Sequence, residues 1–158
     1  MTLSSEILTL LLAAAPLTEL RGSIPIGVTV FGLPIWSAFL FSVVGNILPV
    51  PAIFYLLPKV LSWAEKHWPW LHRVMVVYLE KKKEKFKDSY DKYGALALAI
   101  FVAIPLPMTG AWTGAALAVI FKIEKRYSFP AVVAGVIVAG IIVSLIVSGA
   151  LGFLAWMI

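Results

Sequence analysis

Long stretches of this chain carry no charge. Residues 22–58, 93–121 and 127–158 contain no Asp, Glu, Lys or Arg, and 7–18 is a shorter stretch of the same kind. A bilayer core of ~30 Å takes about 20 helical residues. Residues 127–158 therefore read as one spanning helix, expected to begin near Phe129. The stretch 22–58 has 37 residues, about 55 Å as one helix at ~1.5 Å per residue. It must break, and Gly32–Leu33–Pro34 is the natural place. Residues 33–58 then form the other span, expected to bend at Pro49 and Pro51. A soluble fold of 158 residues that is 61% hydrophobic and only 13% charged has too little interior for its apolar surface. Disorder, collagen and coiled coil fall to the same composition. With no cysteine, there is no disulfide framework and no thiolate chemistry.

Residues 93–121 are long enough to cross once, but their centre prevents it. Between Pro105 and Gly114 lie two prolines and two glycines, which no continuous helix tolerates well. The arms Tyr93–Ile104 and Gly110–Phe121 each measure about 18 Å as helix, roughly half a bilayer. Lys92 precedes the stretch, and Lys122, Lys125 and Arg126 follow it. The positive-inside rule puts both ends on the cytoplasmic side, so 93–122 reads as a re-entrant helical hairpin. The N-terminus has the same form. Leu3–Ala15 is too short to cross, Pro16–Pro25 is a broken centre, and Ile24–Phe31 returns, which makes 1–32 a second hairpin.

The order is hairpin, span, linker, hairpin, span, with Gly22 aligning with Gly110 when the broken centres are overlaid. An odd number of crossings separates the hairpins, so they enter from opposite faces. The expected fold is an all-α integral membrane protein made of two inverted repeats, each a re-entrant hairpin followed by a transmembrane helix. The final span is 128–158.

Of 13 Lys and Arg residues, nine lie between Lys59 and Lys92. That linker, 59–92, is expected to be an amphipathic helix on the cytoplasmic leaflet. Leu71, Met75, Tyr78, Leu79, Phe86 and Tyr93 recur at helical spacing, and Trp63, Trp68 and Trp70 fall where interfacial aromatics belong. Its counter-charge is a lipid headgroup and not nucleic acid. A solvated helix that only sets topology is the plainer reading. The first charge is Glu6, and no basic segment precedes the first apolar run, so a secretory signal is not expected. The termini are placed outside.

Glu19 and Arg21 are the strongest functional signal. Both fall in the first broken centre, at the expected midplane, where one charge costs about 2.5–3.5 kcal/mol on insertion scales. They form either a substrate or proton site or a structural ion pair between the hairpin tips. Ser23 and Thr109 are expected to cap the two return arms, exposing N–H groups and positive dipole ends that suit a phosphate or carboxylate. Against that, the inward arms end in carbonyls near Ala15 and Ile104, which suit a cation beside Glu19. Asn46 sits mid-span, level with the tips, as does Ser144. For both, helix–helix hydrogen bonding is the alternative. Gly22, Gly110, Trp112 and Thr113 complete the candidate set, with Trp112 expected to pack under the tip or gate it. The Gly140, Ser144, Ser148, Gly152 ladder suggests close packing within the protomer or in a homodimer. His67 and His72 lack a third ligand, so no metal is expected. No cofactor motif or catalytic constellation is present, and an enzyme is not expected.

Glu19–x–Arg21–Gly22–Ser23–x–Pro25 and Pro105–Leu106–Pro107–x–Thr109–Gly110–Ala111–Trp112–Thr113–Gly114 resemble the prokaryotic small multi-drug export family over nearly the whole chain. That family is similar in turn to the DedA/VTT superfamily, which includes polyprenyl-phosphate flippases and lipid scramblases with facing re-entrant hairpins. The resemblance implies a prokaryotic plasma-membrane protein, with Glu19 for coupling and Arg21 for phosphate. The larger relatives carry further acidic and arginine residues in the membrane, where this chain has one of each. The leading expectation is a transporter or flippase for an amphipathic anion, foremost a lipid phosphate, with protons as the coupling partner. The alternative is a proton-coupled exporter of small cationic compounds. A third is a structural protein that shapes the bilayer.

Overall fold

A computed structural model describes residues 4–67, 87–106 and 109–157. The part of the expected linker helix between His67 and Lys87, with Trp68 and Trp70, lies outside the described residues, as does Pro107. The described residues are helical, without strands. The helices are α1 (Ser5–Ala14), α2 (Glu19–Thr29), α3 (Ile35–Ile47), α4 (Pro49–His67), α5 (Lys87–Ala103), α6 (Ala111–Ile120) and α7 (Lys125–Met157).

Two helical stretches are long and apolar enough to cross a membrane, Ile35–Trp63 and Lys125–Gly149, with mean hydropathies of 1.9 and 2.8. The first joins α3 and α4 through Leu48, the only residue between them outside a helix, just before Pro49 and Pro51 as expected. It does not stop at Pro58, which lies inside α4. α7 likewise starts four residues before Phe129 and carries Pro130 inside it, past the first turn, where it gives no helical N–H to the Arg126 carbonyl. α1, α6 and the 93–103 part of α5 are apolar but short, about 15 Å each.

The outward surface is apolar. Trp36, Leu40, Val44 and Leu48 form an exposed stripe at four-residue spacing along the first span, and Ile137, Ile141 and Leu145 do the same on α7. The interior mixes large apolar residues such as Ile24, Val50, Phe54 and Val136 with small and polar ones, including Thr9, Ser23, Ser42, Asn46 and Ser128 beside Ala13, Ala38, Ala111 and Ala115. Water would not tolerate so much contiguous exposed hydrocarbon. The distribution fits a membrane protein, whose helices associate through small residues and internal hydrogen bonds. Gly140 meets Phe39 and Val43 of α3, so that rung of the small-residue ladder packs within the protomer.

α1 and α2 are joined by the tight turn at 15–18. The first break is therefore shorter than the sequence suggests, since Glu19 already opens α2 and Pro25 is inside it. Its missing N–H leaves the Arg21 carbonyl without the usual helical donor. α2 ends at Thr29, and the chain turns away at Gly32, whose φ of 68° is the left-handed geometry that glycine adopts freely, while the Leu33 N–H returns to the Gly27 carbonyl at 2.9 Å. α2 then packs on α3, with the Gly27 Cα side against Ala38 and the Ser23 hydroxyl donating to the Ser42 oxygen at 2.7 Å.

α5 and α6 form the other helix–turn–helix pair. Gly94 lies beside Ile123, so the two helices run between that level and the turn at 104–110. α6 ends in a Schellman motif, in which the Ile123 N–H reaches the Ala118 carbonyl at 3.0 Å and the Lys122 N–H reaches that of Val119 at 3.1 Å. Lys122 occupies the left-handed position with φ 51°, which glycine more often fills. Phe54 and Phe129 stack with centroids 6.5 Å apart. This places Lys59, one turn beyond Phe54, at the same end of the molecule as Lys122, Lys125 and Arg126.

Candidate functional site

The turns of the two short-helix pairs abut. The Arg21 Nη2–H donates to Thr109 Oγ1 at 3.0 Å, and the Trp112 indole N–H donates to the Ala14 carbonyl at 3.1 Å. The Glu19 carboxylate lies against Gly110, facing the Trp112 backbone N–H at the start of α6. It lies 3.7 Å from Arg21 Nη2, and the two side chains are 7% and 20% exposed, respectively.

Glu19 is thus the N-cap of a helix to which it does not belong. Gly110 holds the N-cap position of α6 with φ −93° and ψ −163°, and has no side chain to offer. Trp112 is the second residue of α6, whose N–H an N-cap side chain normally satisfies. A Cβ built on Gly110 would overlap the Glu19 carboxylate, so the remote carboxylate occupies the space where a local cap would stand. An anion there also meets the positive end of the α6 dipole. Glu19 itself has φ 47°, a left-handed conformation that is strained for a residue with a Cβ and costs about 1–3 kcal/mol.

Ser23 and Thr109 do not cap the return arms. Ser23 is the fifth residue of α2 and bonds to Ser42. The Thr109 hydroxyl lies 2.7 Å from both the Ile104 and Leu106 carbonyl oxygens, and its oxygen also accepts from the Leu106 N–H at 3.2 Å. It braces its own turn and presents its remaining acceptor capacity to Arg21.

The carbonyls that could have made a cation cage are occupied. The Leu12 carbonyl accepts from the Thr18 hydroxyl and from the Ala15 N–H at 3.3 Å, and the Ala15 carbonyl accepts from the Glu19 N–H at 3.1 Å. Ala14 is taken by Trp112, and Ile104 and Leu106 by Thr109. Arg21, in contrast, uses only Nη2 among the described residues. Its Nε and Nη1 donors, the other part of the planar fork, have no partner among the described residues.

The other expected residues divide. Trp112 joins the two turns with its ring N–H, as packing would have it. Gly22 sits against the Thr18 side chain and not against Gly110. Thr113 is half-buried on α6 and makes none of these contacts. Asn46 is fully buried, and neither its Oδ1 nor its Nδ2 has a hydrogen-bond partner. Ser144 Oγ is also buried and unpartnered. Sequence reasoning missed Ser42 as the partner of Ser23, and missed the capping role of Glu19. The absence of a capping side chain at Gly110 was the available signal for the latter.

Residues 19–142 match the family described as Putative small multi-drug export protein. No curated protein and no solved structure matches the chain. The family match spans most of the chain, from Glu19 through both turns and into α7, and the chain belongs to that family.

Proposed function

We propose that this member of the small multi-drug export protein family is a membrane transporter whose substrate is an amphipathic anion, foremost a lipid phosphate of the polyprenyl type. The observation that carries the reading is the open edge of Arg21, beside a helix N-terminus already holding an anionic group. Guanidinium Nε and Nη1 match two phosphate oxygens. A phosphate arriving there would stand close to the Glu19 carboxylate, and two like charges in a poorly solvated site favour proton uptake by one of them. Substrate and proton would then be taken up together, with Glu19 as the coupling group.

The architecture in this reading is the pair of inverted repeats. The two short-helix pairs act as re-entrant hairpins, their turns meeting near the midplane, where irregular backbone must face protein or a wet cavity. The basic end, with Lys59, Lys122, Lys125 and Arg126, is cytoplasmic, and the termini lie outside, in a prokaryotic plasma membrane. The choice of a lipid phosphate draws on the distant resemblance of the small multi-drug export family to the DedA/VTT superfamily, which includes flippases.

Small multi-drug export, with Glu19 binding a cationic compound and proton in turn, is the second reading, favoured by the family description. The satisfied carbonyls and the adjacent Arg21 weigh against a cation in this position. The test is binding of a short polyprenyl monophosphate and of tetraphenylphosphonium to purified wild type, Arg21→Lys and Glu19→Gln. An anion transporter predicts that Arg21→Lys loses roughly tenfold or more in phosphate affinity, about 1.4 kcal/mol, while Glu19→Gln binds as well as wild type. Cation binding that depends on Glu19, with no phosphate binding, would replace the first reading with the second. Loss of stability in either variant with no ligand effect would leave a structural pair.

A further inference from the structure

Two contacts fix the register between α2 and α3. Gly27 faces Ala38, within 3.2 Å of an added Cβ, and Ser23 bonds Ser42 at 2.7 Å. Four residues back along α2 correspond to four residues forward along α3, so the helices are antiparallel along one face of each. The next step of the same register sets Glu19 level with Asn46.

Asn46 is 0% exposed, and both ends of its amide lack a partner among the described residues. Leaving a buried polar group unsatisfied costs about 1–3 kcal/mol, and such a group in a native fold calls for an explanation. The amide's shape supplies one. A carboxylic acid and a primary amide are complementary at two points. The acid O–H donates to Oδ1, and the acid carbonyl accepts from Nδ2–H. A carboxylate can make only the second of these bonds.

We infer that Asn46 is the second resting place of the Glu19 side chain, occupied when the carboxyl carries a proton. In the ionised form Glu19 caps α6 and faces Arg21, as the structure shows it. Proton uptake from water neutralises the carboxylate and weakens both of those contacts. The neutral acid then turns from α6 to the Asn46 amide, one register step along the α2–α3 interface. This frees the Trp112 N–H and releases Arg21 from its carboxylate neighbour, leaving its Nε and Nη1 edge for an anion. Few other charges face Glu19 from the helices packed around it. α1 brings only Glu6, at its far start, α3 and α6 bring none, and α7 brings Lys125 and Arg126 in its first turn. Asn46 is in this account a positioning residue for the coupling group, and its role deepens the anion–proton reading above.

The test is an infrared difference titration of the full chain in lipid nanodiscs, with Glu19→Gln identifying the Glu19 carboxyl band. Asn46→Leu removes the partner of the protonated form, so the Glu19 midpoint should fall by about one pH unit. Its thermal stability should be equal to or above that of wild type, because an unsatisfied buried amide has gone. Asn46→Asp adds a neighbouring acid, and the Glu19 midpoint should rise. A midpoint unchanged or raised in Asn46→Leu overturns the inference, since a merely structural Asn46 would alter stability without moving the titration. If Asn46→Leu does not fold, Asn46→Asp decides, and a wild-type midpoint there refutes it. Phosphate affinity, measured separately on wild type and Arg21→Lys, reports on the anion reading, so either idea can fail without the other.

Discussion

Gly110→Ala isolates the interhelical cap. The φ and ψ of Gly110, −93° and −163°, suit alanine, so the substitution introduces no backbone strain. What it introduces is a methyl group where the Glu19 carboxylate sits. The carboxylate must leave the Trp112 N–H. Hydrogen bonds to charged groups contribute about 1.5–3 kcal/mol, and an anion at a helix N-terminus about 0.3–1 kcal/mol more. Alanine is also a poorer N-cap than glycine, by about 1 kcal/mol. The single variant should lose about 3–5 kcal/mol, of which about 2–4 kcal/mol belongs to Glu19. A double-mutant cycle separates the parts. In a Glu19→Ala background the cap is already absent, and Gly110→Ala should cost only about 1 kcal/mol. Reversible denaturation of the full chain in mixed micelles, for wild type, both single variants and the double, gives the coupling energy. Equal costs of Gly110→Ala in the two backgrounds, within about 0.5 kcal/mol, would refute the cap.

The native chain has no cysteine, which makes labelling and cross-linking clean. A cysteine at exposed Ser4 should react with a membrane-impermeant thiol reagent in intact cells, and one at exposed Lys125 should not; labelling at Lys125 would reverse the proposed topology. Ser128 is fully buried and would be a poor reporter of the same side. Arg21→Cys with Thr109→Cys should join through a short bifunctional reagent, because the native side chains touch at 3.0 Å. Absence of any cross-link in folded protein would separate the two turns. Cysteines at Ser23 and Ala111 would be a worse choice, because Ser23 is committed to Ser42.

The helices were legible because charge and proline punctuate this chain so strongly. The breaks at Gly32–Pro34, at Pro105 and near Leu48 all fall where proline or a left-handed glycine forbids a smooth helix. Pro25, Pro58 and Pro130 broke the pattern the other way, since each is held inside a helix. A proline's effect depends on whether packing holds the turn around it, and local sequence does not contain that information. Glu19, Arg21, Thr109 and Trp112 could be picked out as a group, since intramembrane charge and a Pro/Gly-rich turn are conspicuous. Which of them would cap which helix could not be read, because the cap joins α2 to α6 across more than ninety residues. Asn46 was visible only as a polar residue at mid-span. Its register with Glu19 needed the Gly27 and Ser23 contacts, which are properties of a helix interface and not of either segment.

The Arg21–Thr109 contact spans 88 positions of sequence, and this separation sets a schedule for biosynthesis. At ~5–20 residues per second, the ribosome makes Thr109 about 4–18 s after Arg21. Throughout that interval α1 and α2 hold a carboxylate and a guanidinium with no α6 to receive them, while the basic segment that is expected to orient the molecule has only begun to emerge. On the proposed reading of two re-entrant hairpins, the first would not settle at its final depth when it is made. It would wait at the membrane surface, or in the shelter of the insertion machinery, until the second turn arrives and the two enter the apolar layer as a joined unit.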